Sequence, residues 1–190
     1  MITIGVIGRS WKPGETLPDH VIDAAYRVGR GIAEAGAVLV GGGTGGVMEA
    51  SCRGAKEAGG LTVGFLPYAD KSKANPYVDL AFPTGMGTIR NILTARGCDS
   101  LVMIGGGVGT LNEVTIAYDS GVPVVVLEGS TGWADKIRQA LDEGRWLDER
   151  RVVAVTFAAT PEQAVADALV RATEPRAGTR LEAHTGWAGQ

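Results

Sequence analysis

Short apolar runs of four to six residues recur along the chain, at 3–7, 37–40, 61–66, 78–82, 100–104, 122–127 and 152–156. Between most of them lie longer stretches in which apolar residues return every three or four positions. In the first of these, opened by Pro18-Asp19, Val21, Ile22, Ala25, Val28, Gly29 and Ile32 form one stripe, and Gly36 ends it. That spacing predicts a helix to about Ala35. Further helices are predicted over 47–58, 89–96, 111–119, 133–143 and 161–172, and a polar loop with two prolines over 67–77.

The runs at 100–104 and 122–127 are almost continuously apolar and rich in β-branched residues. Strands of that kind are covered on both faces, and their alternation with helices implies parallel pairing through crossover helices. The expected fold is α/β: a Rossmann-like, doubly wound, mostly parallel sheet of about seven strands with helices on both faces. One domain is expected over 1–173, and 174–190, polar and without periodicity, reads as a mobile C-terminal tail. Ligands on such a sheet bind beyond the carboxyl ends of the strands.

Two turns at such ends are rich in glycine. Gly41-Gly42-Gly43-Thr44-Gly45-Gly46 and Gly105-Gly106-Gly107-Val108-Gly109-Thr110 each follow a strand and open a helix. Glycine permits close backbone approach, and a helix N-terminus presents free N–H groups to an anion. The first turn serves either a phosphate or tight helix-to-sheet packing. A dinucleotide site would need an acid at the end of the next strand, which instead reads Gly64-Phe65-Leu66-Pro67. A Walker loop would need Lys and Ser or Thr after the glycines, where Val47-Met48-Glu49 stands. The second turn repeats the device, and packing alone accounts poorly for two of them. Thr110 is expected to cap its helix and to offer its hydroxyl to a phosphate oxygen. Glu113, expected in the first helical turn, either complements the helix dipole or points into the ligand cleft.

A third segment, Thr84-Gly85-Met86-Gly87-Thr88-Ile89-Arg90-Asn91, places Arg90 at a helix start, against the dipole. Arg90 there either pairs with Glu113 or a ligand anion, or is a plain surface side chain. Gly8, Arg9 and Trp11 follow the first strand and are candidates to line the same cleft. Glu49 faces either cleft or solvent.

Composition narrows the function classes. Net charge is −3, with no block of Lys or Arg, so the footprint of a nucleic-acid binder is missing. No apolar run is long enough to span a membrane, the N-terminus lacks the pattern of a signal peptide, and a cytoplasmic location is expected. Cys52 and Cys98 match no zinc spacing and read as buried thiols. His20 and His184 complete no metal or nucleophile constellation, and no metal is expected. Apolar helices around Met48 and Leu111 suggest a homo-oligomer, a dimer or a tetramer.

Gly106-Gly107-Val108-Gly109-Thr110-Leu111-Asn112-Glu113, with Arg90 upstream, resembles the P-G-G-x-G-T-x-x-E motif and preceding arginine of the LOG (LONELY GUY)/"possible lysine decarboxylase" superfamily. Gly105 replaces the leading proline, and Asn91 stands where that family has lysine. The resemblance covers residues 2–127. The three strings taken in order, including Gly45-Gly46-Val47-Met48-Glu49-Ala50 and Arg90-Asn91, are more similar to the subgroup of molybdenum cofactor carrier proteins. The superfamily resemblance implies hydrolysis of a nucleoside 5′-monophosphate to free base and ribose 5-phosphate, with Glu113 and Arg90 catalytic. It also implies a phosphate site built from Gly8, Arg9, Gly42, Gly43, Thr44, Gly45, Gly46, Gly85, Gly106, Gly107, Val108, Gly109 and Thr110. The subgroup resemblance implies a carrier or sensor that binds a phosphorylated ligand, such as molybdenum cofactor or a nucleotide, without chemistry. With Arg90 and Glu113 both present, the hydrolase is the leading expectation and the carrier the alternative; no cofactor is required by either.

Overall fold

The computed structural model describes residues 1–10 and 16–176. Seven strands form one sheet in which every pair is parallel: β1 (Thr3–Gly8), β2 (Val38–Gly41), β3 (Thr62–Leu66), β4 (Leu80–Pro83), β5 (Ser100–Ile104), β6 (Val124–Leu127) and β7 (Thr156–Ala158). Their spatial order is β4-β3-β2-β1-β5-β6-β7. The chain works outward from β1 to β4, then returns to lay β5 on the other side of β1. The strand order therefore reverses between β1 and β5, where Gly8 pairs with Ile104. That reversal leaves a crevice beyond the carboxyl ends.

Strand residues alternate between two cores. Ile4, Val6, Leu39, Val102 and Ile104 pack under α1 (Asp19–Glu34), α2 (Val47–Glu57) and α6 (Pro161–Arg171). Ile7, Val40, Leu101, Met103 and Val126 pack on the opposite face. There they meet Ala95 of α3 (Asn91–Gly97), Val114 of α4 (Val108–Asp119) and Ile137 of α5 (Ile137–Ala140). The doubly wound expectation is met, with all strands parallel.

Local chemistry explains the helix ends. Pro18 precedes α1, and Ala37 N–H closes back onto Ile32 C=O past Gly36, which takes φ +72°. At α6 the Thr160 hydroxyl accepts from Gln163 N–H and Pro161 follows, a well-formed N-terminus. Helices α1 and α2 approach closely at glycines, since a side chain at Gly29 would strike the Ser51 backbone and one at Gly54 the Tyr26 backbone.

Two sequence expectations are corrected. The last strand is Thr156–Ala158 and not 152–156. Val152 N–H donates to the Tyr118 hydroxyl and Val155 N–H to Arg145 C=O before the chain enters the sheet. The helix expected over 133–143 survives only as Ile137–Ala140. Leu141 is extended, Glu143 and Gly144 take positive φ, and Asp142 bridges Trp146. The Arg176 guanidinium donates to Cys98 C=O at 2.6 Å, and residues 177–190 of the expected tail lie outside the described residues. Among the described residues no helix is long and apolar enough to cross a membrane.

Candidate functional site

A cleft of about 310 Å³ opens at the strand-order reversal. Its walls come from the exits of β1, β2, β3 and β5 and from the 3-10 turn Gly87–Arg90 that leads into α3. Of the residues expected there, Gly8, Arg9, Thr44, Arg90, Gly107, Gly109, Thr110 and Glu113 line it. Gly42, Gly43, Gly45, Gly46, Gly85, Gly106 and Val108 do not. Trp11 lies outside the described residues.

The two glycine turns differ in what they offer. At the first, Gly46 precedes α2 with φ +73°, and Val47 N–H donates to Arg9 C=O at 3.0 Å. The leading donor of that helix is thus consumed by the exit of β1. Gly43 packs against Gly64 and Leu66 of β3, and its carbonyl accepts from Asn75 N–H. Glu49 turns away from the cleft, into a small groove with Ile22, Arg53 and Tyr77. The packing role read for this turn accounts for most of its glycines.

At the second turn, Gly105 and Gly106 take φ of +63° and +102° and carry the backbone around to α4. The loop after β6 clamps the turn. Ser130 Oγ accepts from Gly105 N–H at 2.8 Å, and Gly106 C=O accepts from Trp133 N–H. Helix α4 begins at Val108, three residues before the expected 111, with Gly107 ahead of it and no side-chain cap. Thr110 is therefore not a cap. It sits third in the helix, its side chain against Gly106 and facing the cleft. Gly107, Val108 and Gly109 are exposed, and the first intrahelical bond to the turn runs from Leu111 N–H to Gly107 C=O. The N–H groups ahead of Leu111 point out of the helix end toward any anion seated there.

Starting the helix earlier moves Glu113 out of the first turn, so the dipole role expected for it lapses. The residue is 6% exposed, and its Oε1 accepts from Arg90 Nη1 at 3.1 Å. Burial pushes its carboxyl up to about 7, and the Arg90 guanidinium opposes that rise without cancelling it. Arg90 stands at the junction of the 3-10 turn and α3, and its Nε is buried without a partner among the described residues. Gly42 is the floor beneath this guanidinium: a Cβ there would come within 2.7 Å of Arg90 Nη2 and 2.6 Å of Met48 Sδ. Gly42 thus serves the cleft indirectly, and so does Gly106 through Thr110.

Asn91, at the family's lysine position, is buried and spent on structure. Its Nδ2 donates to Asn112 Oδ1 at 2.9 Å and to Gly109 C=O at 3.3 Å, tying α3 to the first turn of α4. Seven lining residues were absent from the sequence-derived site: Ile7, Ser10, Met48, Pro67, Tyr68, Thr88 and Asn91. Pro67 and Tyr68 had a usable signal, since they directly follow the carboxyl end of β3, where ligands of doubly wound sheets bind. Among the described residues no three His, Cys, Asp or Glu gather as a metal site. Cys52 and Cys98 are buried, their thiols pushed up to about 12 by desolvation, and are unreactive at neutral pH.

Similar structures carry the same fold. TM1055, a structural-genomics target, is 38% identical and superposes with a TM-score of 0.83, over 88% of this chain and 98% of its own. The molybdenum cofactor binding protein from the phototrophic bacterium Rippkaea orientalis is 32% identical, with a TM-score of 0.74 over 90% of this chain and 95% of its own. The molybdenum cofactor carrier protein from Chlamydomonas reinhardtii is 33% identical, with a TM-score of 0.73 over 91% and 99%. These likenesses agree with the resemblance to the carrier subgroup drawn from the glycine strings. The model of the SLOG cluster4 family matches residues 1–165, and the chain belongs to that family.

Proposed function

We propose that this protein binds and carries a phosphorylated small molecule in the cleft between β1 and β5, without cleaving it. One observation carries the reading: the exposed N-terminus of α4 and the buried guanidinium of Arg90, with Nε unpartnered, line a single cleft. Donors and positive charge so placed suit a phosphate. Thr110 adds a hydroxyl at the same end, and Arg9 a second cation. The likeness to the Rippkaea and Chlamydomonas proteins favours molybdenum cofactor, a phosphorylated pterin, as the class of cargo.

The carrier reading gains against the hydrolase reading for a chemical reason. A phosphoribohydrolase needs an ionised carboxylate at the ribose to stabilise an oxocarbenium-like transition state. Glu113 is buried and raised to about 7, so much of it is protonated at neutral pH. Among the described residues the cation bonded to it is Arg90, and the second basic residue of the family motif is replaced by Asn91. One observation still speaks for chemistry, because a cleft carboxyl near 7 is also what a general acid or base requires.

The test loads purified protein with molybdenum cofactor released from a molybdoenzyme, re-isolates it by gel filtration, and measures bound pterin and molybdenum. Retention of both in comparable amounts, lost in Arg90→Ala, is the expected result. A parallel incubation with AMP, CMP and GMP measures free base. Base release above a Glu113→Gln control would replace the carrier reading with the hydrolase.

A further inference from the structure

Tyr68 is the least accounted-for aromatic side chain among the described residues. Of the four tyrosines, Tyr118 is buried and bonded to Asp148, Tyr26 bonds Glu57 beneath Arg53, and Tyr77 packs on the core. Tyr68 is 47% exposed on the cleft wall, and its side chain has no partner among the described residues.

Its backbone, by contrast, is held at three consecutive carbonyls. Leu66 C=O accepts from both the N–H and the hydroxyl of Thr84, Pro67 C=O from Gly87 N–H at 3.0 Å, and Tyr68 C=O from Gly85 N–H at 2.9 Å. Gly85 and Gly87 take φ of +66° and +54°, which lets the turn after β4 aim both donors at the segment after β3. The turn after β4 thus folds back over the segment after β3, beyond the end of their parallel pairing at Leu66 and Pro83. This gives Gly85 the role that its place outside the cleft lining left open: it holds Tyr68 in position.

The phosphate end and Tyr68 stand at a useful separation. Along the sheet, β3 and β5 are three strand intervals apart, roughly 14 Å. Tyr68 follows β3 by two residues, and α4 follows β5. A molecule with phosphate at α4 and a flat ring at its other end fits that span. A rigidly mounted, exposed aromatic face is what such a ring stacks on, and orders little further on binding.

Building on the phosphate-binding reading above, the geometry points to Tyr68 as the residue that selects the ligand's ring, by stacking on a flat heterocycle whose phosphate sits at the N-terminus of α4. Recognition is then divided: α4 and Arg90 read the phosphate, and Tyr68 reads the presence of a ring.

Titration calorimetry of the full chain with GMP and with ribose 5-phosphate tests this, using Tyr68→Ala and Tyr68→Phe. GMP binds the unaltered protein at least tenfold more tightly than ribose 5-phosphate. Tyr68→Ala weakens GMP roughly tenfold, as expected for one lost stacking partner, and leaves ribose 5-phosphate unchanged. Tyr68→Phe keeps GMP affinity within about threefold, since the ring face is retained. If ribose 5-phosphate binds as well as GMP, or Tyr68→Ala weakens both equally, the role of Tyr68 is overturned while the phosphate site stands. If neither compound binds the unaltered protein, the phosphate reading fails and this inference fails with it.

Discussion

Arg90 and Glu113 lie 23 positions apart in sequence and meet at 3.1 Å inside the cleft, each with a side chain almost removed from solvent. The pair joins the 3-10 turn before α3 to the second turn of α4, across the point where the strand order reverses. Removing one partner of such a pair leaves a buried charge or dipole uncompensated. The pair is thus both a clamp on the cleft and the most pH-sensitive feature of the site.

The first consequence concerns stability. The Glu113 carboxyl is raised in the folded protein, from an ordinary 4.5 to about 7. A raised acid favours the folded state below its unfolded value and loses that contribution as pH climbs through the folded value. The unaltered protein therefore loses about 3 kcal/mol relative to Glu113→Gln between pH 4.5 and pH 8. Urea unfolding of both proteins across that range measures the gap. A gap that stays constant with pH would show that Glu113 titrates normally.

Ligand affinity follows the same group. A phosphate monoester is already largely dianionic above pH 7, its second pKa being about 6. Ionisation of Glu113 then adds a negative charge to the cleft wall. Affinity for GMP falls between pH 7 and pH 8.5, and Glu113→Gln flattens that decline. Calorimetry at four pH values reads it, and an affinity rising with pH would run against the assignment.

Gly42 carries a third expectation. A methyl group there would press on Arg90 Nη2 and Met48 Sδ, and both side chains would have to shift. Gly42→Ala costs about 1–3 kcal/mol of stability as those side chains shift. Because the displaced guanidinium belongs to the cleft, GMP affinity falls at least fivefold as well. A variant with full affinity would mean that Arg90 does not reach the ligand.

Asn91 gives the fourth. Its amide bridges α3 to Gly109 and Asn112, so Asn91→Ala removes two hydrogen bonds from a buried site. The expected cost is about 1–2 kcal/mol, or a fall in Tm of roughly 3–6 °C. Asn91 lines the cleft and holds Gly109 in the first turn of α4, so phosphate affinity falls as well, by roughly threefold. Differential scanning calorimetry and titration on the same sample separate the two effects.

The periodicity of apolar residues carried the sheet: seven runs, six of them near their final places, and helices between most of them. That much is local, because burial on two faces demands continuous β-branched runs and burial on one face demands a stripe. The second glycine turn, with Thr110, Arg90 and Glu113, was also legible, because a strand, a glycine turn and a helix N-terminus are contiguous in the chain. Element ends were less so. The helix after Gly107 starts where the clamp from Ser130 and Trp133 allows, and those residues come from a different βα unit.

Which glycines touch the cleft was decided only in three dimensions. Gly42 and Gly85 look alike in sequence, yet one is the floor under Arg90 and the other the support of Tyr68. The place of Tyr68 just past β3 was readable in the chain, but nothing nearby reveals that β3 comes to lie three strands from β5. The same holds for the charge state of Glu113: the residue is written in the motif, but its burial depends on how α3 and α4 close over it. Sequence patterns carry what each segment buries, and only packing sets which segments share a space and how much water is left between them.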